Sequence, residues 1–241
     1  MVFFLLCRWD MGDHQNDGAI TACDGKSIVA MIGENQKVEA GGKIALFYGN
    51  RPSMQFLIYQ GFVVAENEHD FVNIRVGLHE LEILANVTPT MKKIRTLLIG
   101  KMFEKETGRA VPSGTDVSSV SIEIRVNADG SCSGTFLRYC RIAVLDNKDD
   151  AGVALRDRDF TLESYGDTNQ RRALKTAADL LASRLAAAHL AIGRCTDDGD
   201  ETQPTTTTHP QRLGLEIYKR HRAILSRAEC SFRHRLDEIQ K

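Results

Sequence analysis

The sequence predicts an α+β chain in two parts, a small β-rich region followed by a mainly helical one. Three observations carry that prediction. Residues 17–76 alternate short apolar runs with glycine-containing turns, the pattern of a small, irregular sheet. Beyond His79 the apolar residues recur at helical intervals instead. Towards the C-terminus, residues 171–192 and 213–239 are rich in helix formers and keep an apolar face.

Taken in order, residues 1–7 (MVFFLLC) are apolar, but they lack a basic leading segment and a small-residue cleavage site and are too short to span a bilayer. They read as a buried strand. Ile20 and Ala22, a turn at Asp24-Gly25 and the run 28–32 give further strand and turn alternation, which ends in Glu39-Ala40-Gly41-Gly42. Ile44, Leu46 and Tyr48 then alternate with Ala45 and Phe47 in a β-rich run that Gly49-Asn50 stops, which leaves Tyr48 at the strand's mouth. Met54, Leu57 and Ile58 follow helical spacing, with Ser53 placed to cap the first turn and Gly61 to close the helix. Phe71, Ile74 and Val76 form one more strand, and the first region is set at residues 1–78.

The second region, 79–241, begins with Leu81, Leu84, Ile94, Leu97, Leu98 and Met102 at helical intervals, broken into two helices at Thr88-Pro89. Residues 111–114 (VPSG) read as a linker. Val120, Ile122, Ile124 and Val126 alternate strictly as a half-buried strand that ends at Asp129-Gly130, and residues 136–145 form a short apolar helix. Leu174, Ala178, Leu181 and Leu185 make one face of the helix over 171–192, and the helix over 213–239 is strongly basic on its outer side. Between them, residues 196–210 (TDDGDETQPTTTTHP) are polar and of low complexity. Such a stretch cannot bury enough apolar surface to order itself, so a disordered loop is expected there.

Lys and Arg number 31 against 32 for Asp and Glu. That balance gives no field to attract nucleic acid or an acidic membrane, so a protein or small-molecule partner is indicated. The six cysteines, Cys7, Cys23, Cys132, Cys140, Cys195 and Cys230, are widely spaced, with no Cys-x-x-Cys pair and no histidine at ligand spacing. Neither a metal site nor a disulfide framework is expected. The thiols read as reduced, and a cytoplasmic, or also nuclear, location follows.

The order strand, Tyr48-Gly49, short helix, Gly61-Phe62 resembles the end of a SET domain in the branch of protein methyltransferases typified by the Rubisco large-subunit methyltransferase. Within that branch, Tyr48-Gly49-Asn50-Arg51 and Asn67-Glu68-His69-Asp70 are most similar to the actin-histidine methyltransferases. Upstream, Trp9-Asp10-Met11-Gly12-Asp13-His14 is similar to the family's Trp-Asp-Met-x-Asn-His segment. Both matches stand in family order and at about family spacing. They cover about the first third of the chain, and a fainter likeness to the family's helical substrate-binding domain continues to the C-terminus. The resemblance implies that residues 1–78 are the C-terminal part of a SET domain and that 79–241 are the substrate-binding domain. The family's N-terminal portion, with its Gly-rich cofactor segment, is expected to have no counterpart here.

The resemblance also assigns roles. Tyr48 would line the methyl-transfer channel as the catalytic residue; its alternative is a core tyrosine with one hydrogen bond. Asp10, Met11, Gly12, Asp13 and His14 would approach S-adenosyl-L-methionine, and Gln60 and Phe62 would also border the cofactor, with Phe62 stacking on the adenine or packing in the core. Trp9 would wall the substrate pocket or sit in the core. Arg51 would hold the substrate peptide or be a solvated turn residue. The sequence departs from the family at Asp13, which stands where the family has Asn and can only accept hydrogen bonds when ionised. It departs also at Ser53, which replaces an Asn, and at Gln60, where the subgroup has a small polar residue.

The implied function is S-adenosylmethionine-dependent protein-histidine N-methylation with actin as substrate and no metal. A free imidazole has a pKa near 6.5 and is mostly neutral at pH 7, whereas a lysine near 10.4 must first lose a proton. Two alternatives stay open: a protein-binding module without turnover, and a lysine methyltransferase of the same branch.

Overall fold

The structure is a computed structural model that describes residues 14–23, 26, 28–33, 37, 39–42, 44–108, 121–157, 166–196 and 209–239. The strand expected over 1–7, the turn at Asp24-Gly25, the linker at 111–114 and most of the expected loop 196–210 lie outside the described residues. The chain divides into two compact units, Met1–His69 and Asp70–Lys241. It is α+β, as expected.

The first unit is built on a three-stranded sheet of order β2-β1-β3, with β1 at His14–Cys23, β2 at Ile28–Met31 and β3 at Leu46–Phe47. β1 runs antiparallel to β2, with Ile20 opposite Met31 and Ala22 opposite Val29. It runs parallel to β3, where the register shifts between His14 and Ala19 so that both lie opposite Leu46. That irregularity shortens β3: the strand expected from Ile44 to Tyr48 keeps only two paired residues, and Ile44 is exposed. Helix α1, Ser53–Gln60, follows. Gly61 closes it in the left-handed conformation, with its N–H on the carbonyls of Leu57 and Phe56, as the sequence predicts.

Two expectations for α1 are corrected. Ser53 does not cap the helix, because Pro52 occupies the cap position and makes no side-chain bond there. The buried face is Ser53 and Phe56, whereas Met54 and Ile58, expected to face inward, are exposed. The inversion has a cause: α1 packs through the Phe56 ring onto a histidine of β1, and Ser53 turns inward because a buried amide donates to it.

The second unit opens with β4, Phe71–Gly77, which pairs antiparallel with β5, Ser121–Asn127, from Phe71 opposite Asn127 to Gly77 opposite Ser121. The strand expected over 71–76 thus finds its partner in the later region. One face of the ladder, Ile74, Val76, Ile122, Ile124 and Val126, is buried; the other carries Asn73, Arg75, Glu123 and Arg125, with the Arg125 guanidinium over the Phe71 ring. Helix α2, Leu78–Leu84, leaves β4 directly, a 3₁₀ turn spans Pro89–Met91, and α3 runs over Lys92–Thr107. The break at Thr88-Pro89 is thus where the proline placed it.

Helix α4, Gly134–Ala143, carries Phe136, Tyr139, Cys140 and Ile142 inward. Helix α5, Lys148–Arg156, was not foreseen, although Asn147 caps it by accepting from the Asp150 N–H at 2.8 Å. Two long helices complete the unit, α6 at Asp167–Thr196 and α7 at His209–Ile239, each longer than the periodicity suggested. α6 packs on α7, α4 and α2. Its Ala173, Leu174, Ala177, Ala178 and Leu181 are buried in one core with Ile224, Leu225, Ala228 and Phe232 of α7.

The bend between α2 and α3 is held by Arg95, which is 1% exposed. Its guanidinium donates to Glu82 Oε1 at 2.7 Å, to the Leu145 carbonyl at 2.7 Å and to the Thr88 carbonyl at 2.9 Å. Three strong donors in one fixed fork suit a place where chain ends leave carbonyls unpaired.

Candidate functional site

The candidate site lies within the first unit, where β3 gives way to α1. Tyr48 is the residue after β3, and Gly49 follows with φ of 91°, a conformation that side chains resist and that turns the chain sharply away. The Tyr48 N–H donates to His14 Nδ1 at 3.3 Å. Because Nδ1 then supplies its lone pair, the neutral ring carries its proton on Nε2.

Around His14 the sequence's scattered aromatics converge. Its ring centroid is 4.6 Å from Phe56, 5.6 Å from Tyr48 in a near-parallel stack, and 6.2 Å from both Phe47 and Phe62. Phe56 and Phe62 stack on each other at 5.3 Å, and Tyr48 lies 6.4 Å from Phe62. Such separations are those of attractive ring pairs. The cluster joins β1, the end of β3, α1 and the segment after Gly61, so the packing that holds the unit together also fixes where Tyr48 stands.

Of the expected site residues, Tyr48, His14 and Phe62 are therefore brought together. Arg51 is exposed in the turn between Tyr48 and α1. Gln60 is exposed at the last position of α1, and among the described residues no bond joins it to the cluster. Trp9, Asp10, Met11, Gly12 and Asp13 lie outside the described residues.

Two participants escaped sequence reasoning. Phe56 was passed over for its more apolar-looking neighbours, although it is 1% exposed and is the ring nearest His14. Asn67 was noted only within a motif. Its side chain is buried, donates from Nδ2 to the Arg51 carbonyl at 2.8 Å and to Ser53 Oγ at 3.3 Å, and accepts at Oδ1 from the His69 N–H at 3.0 Å. A polar residue between two apolar runs gave no hint of this; the signal was the residue type, since an amide both donates and accepts.

Elsewhere the chemistry is quieter. Burial pushes the Cys132 thiol up to about 11, and burial raises that of Cys140 further, so neither is a ready nucleophile. Among the described residues, no group of His, Cys, Asp or Glu side chains is placed to hold a metal ion, and no helix is long and apolar enough to cross a membrane.

No family profile matches the chain. Among curated proteins it is similar to the actin-histidine N-methyltransferase of Drosophila melanogaster, 33% identical over 91 residues that make up 35% of this chain and 16% of the relative. The enzyme of the same description from Mus musculus is 36% identical over 85 residues, 33% of this chain and 14% of the relative. The chain thus spans a small part of the curated relatives it matches. Among solved structures it superposes on Rubisco LSMT bound to sinefungin and monomethyllysine with a TM-score of 0.57 at 13% identity, covering 95% of this chain and 49% of that one. The SET domain of LSMT bound to lysine and AdoHcy gives 0.58 at 14%, with the same coverages. In sequence over about a third of its length, and in fold over 95% of it, the chain is similar to SET-domain protein methyltransferases of the Rubisco large-subunit methyltransferase-like branch.

Proposed function

We propose that the chain belongs to an S-adenosylmethionine-dependent protein methyltransferase whose acceptor is a histidine, with actin as the substrate and the cytoplasm, or also the nucleus, as its place of action. The observation that carries this reading is the Tyr48 ring held at a strand end against His14 and Phe62, with Arg51 three residues on.

The residues present fit the cofactor. A half-buried Phe62 beside Tyr48 and His14 offers π-faces for an adenine and for a sulfonium, which aromatic faces attract as they attract other cations. His14 and Phe62 would hold the cofactor, which supplies an electrophilic methyl group. The work of the chain is alignment, because displacement at a methyl carbon needs nucleophile and leaving group in line and little else. Tyr48 brings the phenolic hydroxyl of this ring cluster, and its main-chain bond to His14 anchors the backbone that carries it. The packed rings would help keep water from the reacting atoms. Arg51, exposed in the turn, would meet an incoming peptide. Histidine suits such a site, because its neutral imidazole is already nucleophilic near pH 7 and no base is required.

The partial match to actin-histidine enzymes favours histidine over lysine, whereas the likeness to the lysine-bound Rubisco LSMT structures speaks to fold. A second reading, a protein-binding module without turnover, draws support from the second unit, whose core closes among its own residues. Titration calorimetry of the chain with S-adenosylmethionine, followed by single-turnover methylation of actin by wild type and Tyr48→Phe, tests the choice. Loss of the hydroxyl should slow turnover by about 10- to 100-fold with folding stability unchanged. A Tyr48→Phe variant as fast as wild type would return Tyr48 to the core, and a chain that binds actin without turnover would favour the binding module.

A further inference from the structure

We infer that Asn67 is a positioning residue for substrate recognition: its buried amide fixes the turn that presents Arg51. The proposal rests on the reading of Arg51 as the peptide's partner.

Arg51 lies in the short connection that leads from Tyr48 into α1. Gly49 adopts a left-handed conformation, Pro52 has no N–H to give, and Arg51 itself is exposed. From the far side of α1, sixteen residues along the chain, the Asn67 Nδ2 group reaches the Arg51 carbonyl at 2.8 Å and Ser53 Oγ at 3.3 Å. The other end of the same amide is held in turn, because Oδ1 accepts from the His69 N–H at 3.0 Å. One planar group, 8% exposed, thus pins both ends of the two-residue step from Arg51 to Ser53. Buried amides that use both donor and acceptor fix geometry more firmly than any single bond. An arginine presented for recognition gains from such anchoring, because the ordering of its backbone is complete before a partner arrives.

The geometry also dictates the informative substitution. Asn67→Asp has the same shape and still accepts from the His69 N–H. It cannot donate, and it sets a carboxylate oxygen against the Arg51 carbonyl in place of the N–H. Asn67→Ala removes the bonds to the Arg51 carbonyl, to Ser53 Oγ and from the His69 N–H together. Both leave every ring of the aromatic cluster in the sequence, so binding of S-adenosylmethionine should change less than binding of actin.

The test uses the full chain with purified actin as the probe, and four forms: wild type, Asn67→Asp, Arg51→Ala and the double variant. ¹⁵N relaxation of the Arg51 and Ser53 amides reads the turn directly. In wild type their order parameters should be near the rigid-backbone value of about 0.85, and in Asn67→Asp they should fall towards about 0.6. Actin affinity should weaken by about 5- to 10-fold in Asn67→Asp, as expected for the loss of one to two hydrogen bonds' worth of ordering. In the double variant it should weaken no further than in Arg51→Ala alone, because two residues acting through one contact are not additive. Unchanged order parameters in Asn67→Asp overturn the inference. So do additive losses, which would mean that Asn67 acts on affinity by another route. An Arg51→Ala variant that binds actin as well as wild type overturns instead the role given to Arg51, and the relaxation arm still decides whether Asn67 orders the turn.

Discussion

Replacing Arg95 by leucine should be among the most damaging single changes in the second unit. The guanidinium is almost wholly buried and makes three bonds, to Glu82 Oε1, the Leu145 carbonyl and the Thr88 carbonyl. Removing one partner of a buried ion pair costs about 3–5 kcal/mol, because the remaining charge is left without compensation. Each orphaned carbonyl adds about 1 kcal/mol or more. The leucine side chain returns about 1–2 kcal/mol through apolar burial. The net loss is about 3–6 kcal/mol, a large share of the roughly 5–15 kcal/mol that keeps a domain folded. Urea unfolding followed by far-UV circular dichroism measures it, read from the midpoint at constant slope. Adding Glu82→Leu should recover about 2 kcal/mol, because the stranded carboxylate is then gone. A loss below about 1.5 kcal/mol for Arg95→Leu, or no recovery in the double variant, would refute the claim that this fork holds the bend from α2 to α3.

Gly130→Ala should lower the thermal midpoint far more than Gly61→Ala: both glycines have positive φ, but a Cβ at Gly130 would lie 2.8 Å from the backbone of Arg227 and Ala228, whereas at Gly61 it meets open space. About 1 kcal/mol is expected at Gly61 and about 3 kcal/mol at Gly130; equal shifts would contradict the packing of the β5–α4 turn on α7. The hydroxyl and N–H of Thr88 hold the Asp146 carboxyl below its ordinary value. Its contribution to stability should therefore be complete above about pH 4 and be lost as pH falls through the lower, folded-state value, and Asp146→Asn should flatten acid unfolding in that window. Burial depresses the His221 imidazole against an opposing pull from Asp70, so stability should also fall as pH drops below about 6.5, and His221→Leu should remove that slope in a pH series of urea midpoints. A chain starting at Asp70 should give the circular dichroism spectrum of a folded helical protein, whereas one starting at His79 should not, because it lacks Ile74 and Val76 and leaves β5 unpaired.

What the sequence revealed follows the range of the forces involved. β5 was legible because Ile122, Ile124 and Val126 alternate against solvent on one face only. The break at Pro89 and the cap at Gly61 were legible because one residue decides each locally. Tyr48, His14 and Phe62 were picked out by resemblance, and the structure gathers them around one imidazole. The inward face of α1 was illegible, because it is chosen by a histidine 42 positions away from Phe56 and by an amide 14 positions away from Ser53. The pairing of β4 was missed for the same reason: nothing within 71–77 says that its partner comes after two helices. Asn147 before α5 was readable as a cap and was overlooked, since too few apolar residues follow it to mark a helix by period.

That ladder between distant strands has a consequence for the order in which the chain folds. Asn73 and Glu123, joined across it, are 50 residues apart. Closing such a loop costs about 2 kcal/mol more than closing a tight hairpin, so α2 and α3, whose bonds are local, should form before β5 pairs and shorten the gap it must cross. During synthesis β4 emerges well ahead of its partner and carries Ile74 and Val76 unpaired until Asn127 has cleared the ribosome. Pausing translation between those points would leave an apolar edge open to neighbours, and the yield of soluble protein should depend on how quickly that stretch is made.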